Sequence, residues 1–286
     1  MLHLTKTIQR WETNLEKVLK DVAPGKDVVI GHNHLKIDAP LYISKGVHLR
    51  SAGKKIQLLS NPSLVISTTE PIILENLACE VGSNAVGVLV REGIGADVTL
   101  RNITFSYAEN FLTSLVGQSF THLSTLVYLG SGTLEIVDSV LPTCHISAPN
   151  GKVIIRNSMI GSFEQASIIE ASEIETDQVT VLNTVLSGEH RSHRLISRGN
   201  VVFYGTHTIS DLVFEGSGYG KGRKPKNYPD SVVGIVVGEM AVFACERVEN
   251  VSEDVVFEKL VQHPTAMVSM NQWLSDAIDI VLEGTD

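Results

Sequence analysis

The sequence predicts an all-β solenoid, a parallel β-helix in which each turn of chain forms one coil, with a helix at either end. Three observations lead there. First, a short pattern recurs: two apolar residues at alternate positions, then Asn or Asp, then an apolar residue three places on. It stands at Ile72-Leu74-Asn76, Val98-Leu100-Asn102-Phe105, Leu134-Ile136-Asp138-Leu141, Val153-Ile155-Asn157-Ile160 and Val179-Val181-Asn183-Leu186. Cys79 closes the first copy. Second, the Asn/Asp positions are 26, 36, 19 and 26 residues apart (102 − 76, 138 − 102, 157 − 138, 183 − 157). A period of roughly 20 to 30 residues marks a solenoid. Third, every copy alternates with period two and contains no helical partner. That excludes leucine-rich, ankyrin and tetratricopeptide arrays.

The elements follow in order. Ile8, Trp11, Leu15, Val18 and Leu19 form a helical stripe that predicts a helix over Thr5 to Val22, ended by Pro24-Gly25. Lys17 and Lys20 fall in its last turns, where cations suit the helix dipole. The period then changes to two: Val28 and Ile30, Leu35 and Ile37, Leu41 and Ile43, Val47 and Leu49 predict short strands joined by tight turns. Ser51 and Gly205 occupy the Asn place in weaker copies of the repeat. The long gap between Asn102 and Asp138 predicts an insertion within Tyr107 to Tyr128. A second interruption follows Phe214, where residues 216–229 are glycine-rich and basic. Strand character returns from Val232 to Phe243. Asp254 to Val261 and Met270 to Leu282 read as helices, with Trp273, Leu274, Ala277, Ile278 and Val281 on one face. The end coils of a solenoid expose core and need covering. The predicted organisation is therefore an N-terminal helical cap at 1–24, a β-helix at 25–250 and a C-terminal helical cap at 251–286.

The Asn of the repeat has a physical reason. Inward residues precede it at alternate positions and another follows three places later, so the chain must bend there. One left-handed residue makes that bend, and Asn, Asp and Gly tolerate it best. Stacking would set Asn157 and Asn183 one above the other, about 4.8 Å apart, with amides able to bond along the stack.

Composition bounds the function classes. Hydrophobic residues at 43% suffice for a core, and 19% charged residues are too few for a disordered chain. A net charge of −9 disfavours nucleic acid and anionic membrane as partners. The start lacks the apolar run of a secretory signal, and no stretch is apolar for long enough to span a membrane. Cys79, Cys144 and Cys245 are sparse and odd in number, which argues against a disulfide framework. A cytoplasmic location is the expectation.

The span Asp27 to Leu58, D-V-V-I-G-H-N-H-L-K-I-D-A-P-L-Y-I-S-K-G-V-H-L-R-S-A-G-K-K-I-Q-L, resembles the opening coils of pectin-lyase-like right-handed parallel β-helix proteins. The Asn positions 76, 102, 157 and 183 are similar to the asparagine ladders of that superfamily. The resemblance covers residues 25–250 and implies a right-handed coil. It implies no single activity, because the superfamily includes lyases, hydrolases, esterases, tailspikes and binding modules. Of the polygalacturonase-like segments, D-D, G-H-G and R-I-K are absent from the sequence, and Gly31-His32-Asn33 is only a fragment.

Three groups of residues remain as candidates. A calcium-dependent lyase would need carboxylates on neighbouring coils with an Arg or Lys base. Glu170, Glu173, Glu175 and Asp177 with Arg191 or Arg194 would supply them, although Glu173 to Asp177 also reads as a solvated turn. His190 and His193 sit in Glu189 to Arg194, and histidines act as acid/base groups near neutral pH. The same stretch reads as an exposed charged turn, and two His alone make a weak metal signal. The third group is cationic. Arg191, Arg194, Arg198, Lys221, Arg223, Lys224 and Lys226 face only Asp211 and Glu215 between His190 and Asn227, a local balance of 7 − 2 = +5. Such a patch suits a phosphate, an anionic glycan or an acidic protein face, and Tyr219 can stack on a sugar. Cys79 is expected in the core, and Cys144 and His145 on opposite faces of a strand.

The function expected from these residues is a non-catalytic binding module. It would engage an anionic ligand or acidic protein surface through Arg191, Arg194, Arg198, Tyr219, Lys221, Arg223, Lys224 and Lys226. No metal and no cofactor is expected. The alternative is an acidic-polysaccharide lyase or glycoside hydrolase using Glu173, Asp177, His190, Arg191 and Arg194. A third class is a structural protein that assembles through its coil edges.

Overall fold

The computed structural model describes residues 6–8, 15–31, 34–52, 55–82, 86–107, 124–162, 167–197, 201–214, 235–237 and 242–250. Within them the chain is a parallel β-solenoid with three walls. Each strand pairs in parallel with its counterparts in the coils above and below.

The first wall carries the repeat. Its register stacks Val28 on Leu49, Leu74, Leu100, Ile136 and Ile155 in turn. All six are at most 1% exposed. A second inward column runs Val47, Ile72, Val98, Leu134, Val153 and Ile174. Their alternate neighbours point outward, as a pleated strand requires. The wall turns into the second at a single left-handed residue: Asn76, Asn102, Asp138 and Asn157 have φ of 56, 51, 51 and 48°. This is the bend that the sequence pattern requires. Asn102 Nδ2 donates to Asn76 Oδ1 at 2.7 Å, so the amide ladder forms at that step. Further along, serines continue the corner: Ile103 N donates to Ser139 Oγ and Ser139 N to Ser158 Oγ, both at 3.0 Å.

The second wall holds Ile56, Cys79 and Phe105, and the third holds Ile66, Val90, Tyr128, Ile146, Ile169, Leu186 and Phe203. The three walls enclose one continuous apolar core. Cys79 and Cys144 lie in it as free thiols, and burial pushes both thiols up to about 12.

Four expectations are corrected. The N-terminal helix spans Leu15–Asp21 rather than starting at Thr5. Lys6–Ile8 is a strand paired with Val28 to Ile30, which extends the first wall by one coil. The helix keeps Leu15, Val18 and Leu19 buried. Asn183 does not stack on Asn157. The residue above Asn157 is Gln178, φ 55°, because Asp177 follows Arg156 in register. Asn183 is left-handed as well, φ 44°, but stands at the next corner; the coil has shortened and the pattern recurs on another wall. Gly205 likewise stacks on Gly188, away from the Asn column. Finally, Glu173 to Asp177 and Glu189 to Arg194 are not turns. They belong to strands Ser167–Asp177 and Thr184–Ser197.

The insertion at 108–123, the basic stretch at 215–234 and the helices expected beyond residue 250 lie outside the described residues. No helix among the described residues is long and apolar enough to cross a membrane.

Candidate functional site

Coil length decides where the polar chemistry gathers. From Leu49 to Leu74 and from Leu74 to Leu100 one coil takes 25 and 26 residues. From Thr176 to Ser192 and from Ser192 to Ile209 it takes 16 and 17. In these short coils single long strands, Thr184–Ser197 and Val201–Phe214, each of 14 residues, run through all three walls, with 189–192 and 206–209 on the first wall.

The outer face of this wall holds an open cleft of ≈ 380 Å³. Arg156, Glu175, Asp177, Arg191, His193, Thr208 and Ser210 line it, and Thr176 and Ser192 also border it. The geometry is what strand stacking produces: Arg156 sits beside Asp177, and Glu175 beside Arg191 and then Thr208. Arg156 is held by Glu135 at 2.7 Å and Arg191 by Glu189 at 2.5 Å. Both pairs are exposed, so solvent screens them and neither fixes its guanidinium strongly. Asp177 is different. Its Oδ1 is buried and has no hydrogen-bond partner among the described residues. A buried carboxylate oxygen without a donor is costly, and this one belongs to a residue of the cleft lining.

Behind the cleft the two inward columns change character. Ile155 is followed by Thr176 and Ser192, and Ile174 by His190 and His207. Both histidines are fully buried, and Thr176 and Ser192 are 5% and 6% exposed. The four side chains form one hydrogen-bonded chain whose directions can be deduced from its end. The Tyr204 carbonyl only accepts, so His207 donates to it from Nε2 at 2.7 Å. A neutral His207 then has a bare Nδ1, which accepts from His190 Nδ1 at 3.1 Å. His190 Nε2 is left to accept from the Thr176 hydroxyl at 2.9 Å, and Thr176 accepts from Ser192 at 2.7 Å. Every proton in the chain has an acceptor while both rings are neutral. Burial, and then the neighbouring His207 ring, pushes His190 down to about 3. Burial also lowers His207, with the Tyr204 bond pulling the other way. Phe203 completes the packing, its ring 4.8 Å from His207 and 6.4 Å from His190.

The structure thus divides the residues nominated from the sequence. Asp177 and Arg191 share the cleft, and His193, named only as a companion of His190, joins them. His190 is a core residue with no route to an exposed acid/base role, since odd and even positions of one strand face opposite ways. For the same reason His190 and His193 cannot share a metal. Arg194 lies beside Asp211 at 3.9 Å, outside the cleft lining. Glu173 is exposed and pairs with Lys152 at 3.4 Å. Arg198, Tyr219, Lys221, Arg223, Lys224 and Lys226 lie outside the described residues. Among the described residues no three His, Cys, Asp or Glu side chains are placed to hold a metal ion.

Sequence reading missed Arg156, Thr208 and Ser210. The signal for Arg156 was in the repeat itself, since the residue before Asn76, Asn102, Asp138 and Asn157 faces outward and two of these, Arg101 and Arg156, are cationic. Comparison with known proteins adds no assignment: no family model, no curated protein and no solved structure matches this chain.

Proposed function

We propose that the protein is a non-catalytic binding module whose cleft on the short coils takes an anionic, hydroxyl-bearing ligand of the uronate-glycan type. The observation that carries this reading is the partnerless Asp177 Oδ1 set among Arg156, Arg191 and His193. Such a ligand supplies carboxylates for the guanidinium groups and hydroxyl donors for Asp177. The basic residues Arg198, Lys221, Arg223, Lys224 and Lys226, with Tyr219, extend the same cationic segment along the sequence. The parallel solenoid together with the Asp27 to Leu58 resemblance supports placing the chain in the right-handed pectin-lyase-like superfamily. The buried free thiols Cys79 and Cys144 suit a reducing, cytoplasmic setting.

Calorimetric titration with uronate oligomers tests this reading. Saturable binding is expected, weakened roughly tenfold by Arg191→Ala, since one charge-assisted hydrogen bond contributes about 1.5 kcal/mol. Binding that ignores Arg191→Ala and Asp177→Asn contradicts it. The enzyme alternative keeps one supporting observation, that Asp177 and Arg191 face the same cleft. It is separated by following the oligomers for new reducing ends or unsaturated products, which a binding module does not release.

A further inference from the structure

The hydrogen-bonded chain beneath the cleft is satisfied without a buried charge in one protonation state only. We propose that His190 and His207 form an acid-operated latch: in an acid medium the coils built by Ser167–Asp177, Thr184–Ser197 and Val201–Phe214 loosen and the cleft is lost. The inference rests on geometry. A first proton on His190 Nε2 is tolerated by the hydrogen bonds, because the Thr176 and Ser192 hydroxyls can both turn round. It leaves a buried cation without a counter-charge in the chain that holds it, and an uncompensated buried charge is strongly unfavourable. A second proton, on His207 Nδ1, removes the acceptor that His190 Nδ1–H has among the described residues and sets two N–H groups against each other across 3.1 Å. The ring centroids are 5.3 Å apart, so the two charges also repel.

The groups facing the pair do not rescue it. Strand Ser167–Asp177 offers the Thr176 hydroxyl and aliphatic Ile174. Strand Thr184–Ser197 offers Ser192, and Val201–Phe214 offers Phe203 and the Tyr204 carbonyl. On Val242–Asn250 the residue in register with His207 is Phe243. The charged neighbours of His190 in sequence, Glu189 and Arg191, lie on the exposed face and pair with each other at 2.5 Å. Because Thr176 and Ser192 belong both to this chain and to the border of the cleft, opening the chain displaces the cleft.

The loss of ligand at acid pH rests on the binding reading above; the latch itself does not. The test is therefore run first without ligand. The thermal midpoint of the whole chain is followed between about pH 7 and about pH 4, spanning the ordinary imidazole range, for the native protein and for His190→Leu/His207→Leu. A steep fall in the native protein and a clearly flatter profile in the double variant are expected. Parallel profiles overturn the latch. Should the double variant not fold, histidine ring NMR of the native protein decides. His190 protonated at Nδ1 and His207 at Nε2, both unchanged until the fold opens, supports the proposal. Either ring titrating at the ordinary histidine pH in the intact fold overturns it. Uronate oligomers are then added at both ends of the pH range. No binding even at neutral pH rejects the ligand reading alone. Binding that survives where the three strands have lost hydrogen-exchange protection rejects the link between latch and cleft.

Discussion

The long coils near the start and the short coils around residues 176–209 solve the same folding problem differently. In the long coils three short strands are separated by corners, and left-handed Asn76 and Asn102 make the bend with amides that bond to each other. Their first-wall interior columns are aliphatic throughout. In the short coils, with eight to ten residues fewer per turn, left-handed Gln178 and Asn183 still make bends, and Gly188 and Gly205 take positive φ as well. At these glycines successive coils stack backbone against backbone. A Cβ on Gly188 would lie 1.9 Å from the Ala171 carbonyl oxygen, and one on Gly205 2.5 Å from that of Gly188. The interior columns also change from Ile155 and Ile174 to Thr176, Ser192, His190 and His207. Apolar contact tolerates small adjustments of packing, whereas a directional chain of hydrogen bonds fixes its members in place. The difference teaches that the region with least space carries the polar interior, and that the cleft lies against it.

The largest expected difference between the two regions is in acid. His190 and His207 have values lowered from the ordinary 6.5. The unfolded chain therefore takes up protons near that pH while the folded chain does not. Stability is unaffected above it and falls as the pH drops, down to about 3 for His190, by about 1.4 kcal/mol per pH unit for each histidine concerned. Chemical denaturation at stepped pH reads this slope. The loss of protection should appear first in Thr184–Ser197 and Val201–Phe214, and later in Val47–Ser51 and Ile72–Glu75.

Next comes a pair of glycine substitutions. Gly188→Val forces a side chain into the Ala171 backbone at φ +138° and should cost about 3 kcal/mol. Gly25→Ala, at φ +71° but with nothing within 4 Å, should cost only about 1 kcal/mol. Equal losses in denaturant midpoint would remove the distinction between crowded and open corners. Asn157→Leu should cost about 1–2 kcal/mol for the left-handed bend at φ 48°, and Asn157→Gly should recover most of it; ligand binding should be unaltered in both. The smallest effect on stability is Arg156→Gln, since an exposed pair such as Arg156–Glu135 contributes under about 1 kcal/mol. That variant should nonetheless weaken uronate binding in the calorimeter, because Arg156 lines the cleft.

Much of the fold is legible in the sequence, and the reason is local. Each Asn or Asp of the repeat must be left-handed, and its apolar neighbours must turn inward on both sides. The residue type therefore reports the backbone angle directly at Asn76, Asn102, Asp138 and Asn157. The reading slips at Asn183 because the same pattern satisfies another corner once the coil shortens, and a fixed spacing cannot reveal that change of phase. Gln178, which takes over the corner, gives no warning, since glutamine is not a usual left-handed residue. The site was only partly legible. Glu189 to Arg194 looks like a charged turn because hydropathy marks all six residues as polar. Its alternation is present, with His190 and Ser192 inward and Arg191 and His193 outward, but polar inward residues conceal the pattern that usually betrays a strand. Nothing in the residues alone indicates that His190 finds His207 seventeen positions on, because that meeting depends on the length of one coil.

The central claim is that ligand recognition belongs to the short coils and not to the Asn corners of the long ones. Residue-resolved hydrogen exchange of the whole chain, with and without a saturating uronate oligomer at neutral pH, tests it most directly. Added protection confined to Ser167–Asp177, Thr184–Ser197 and Val201–Phe214 is the predicted result. Protection centred on Asn76 and Asn102, or no change in those three strands while the oligomer is bound, would contradict it.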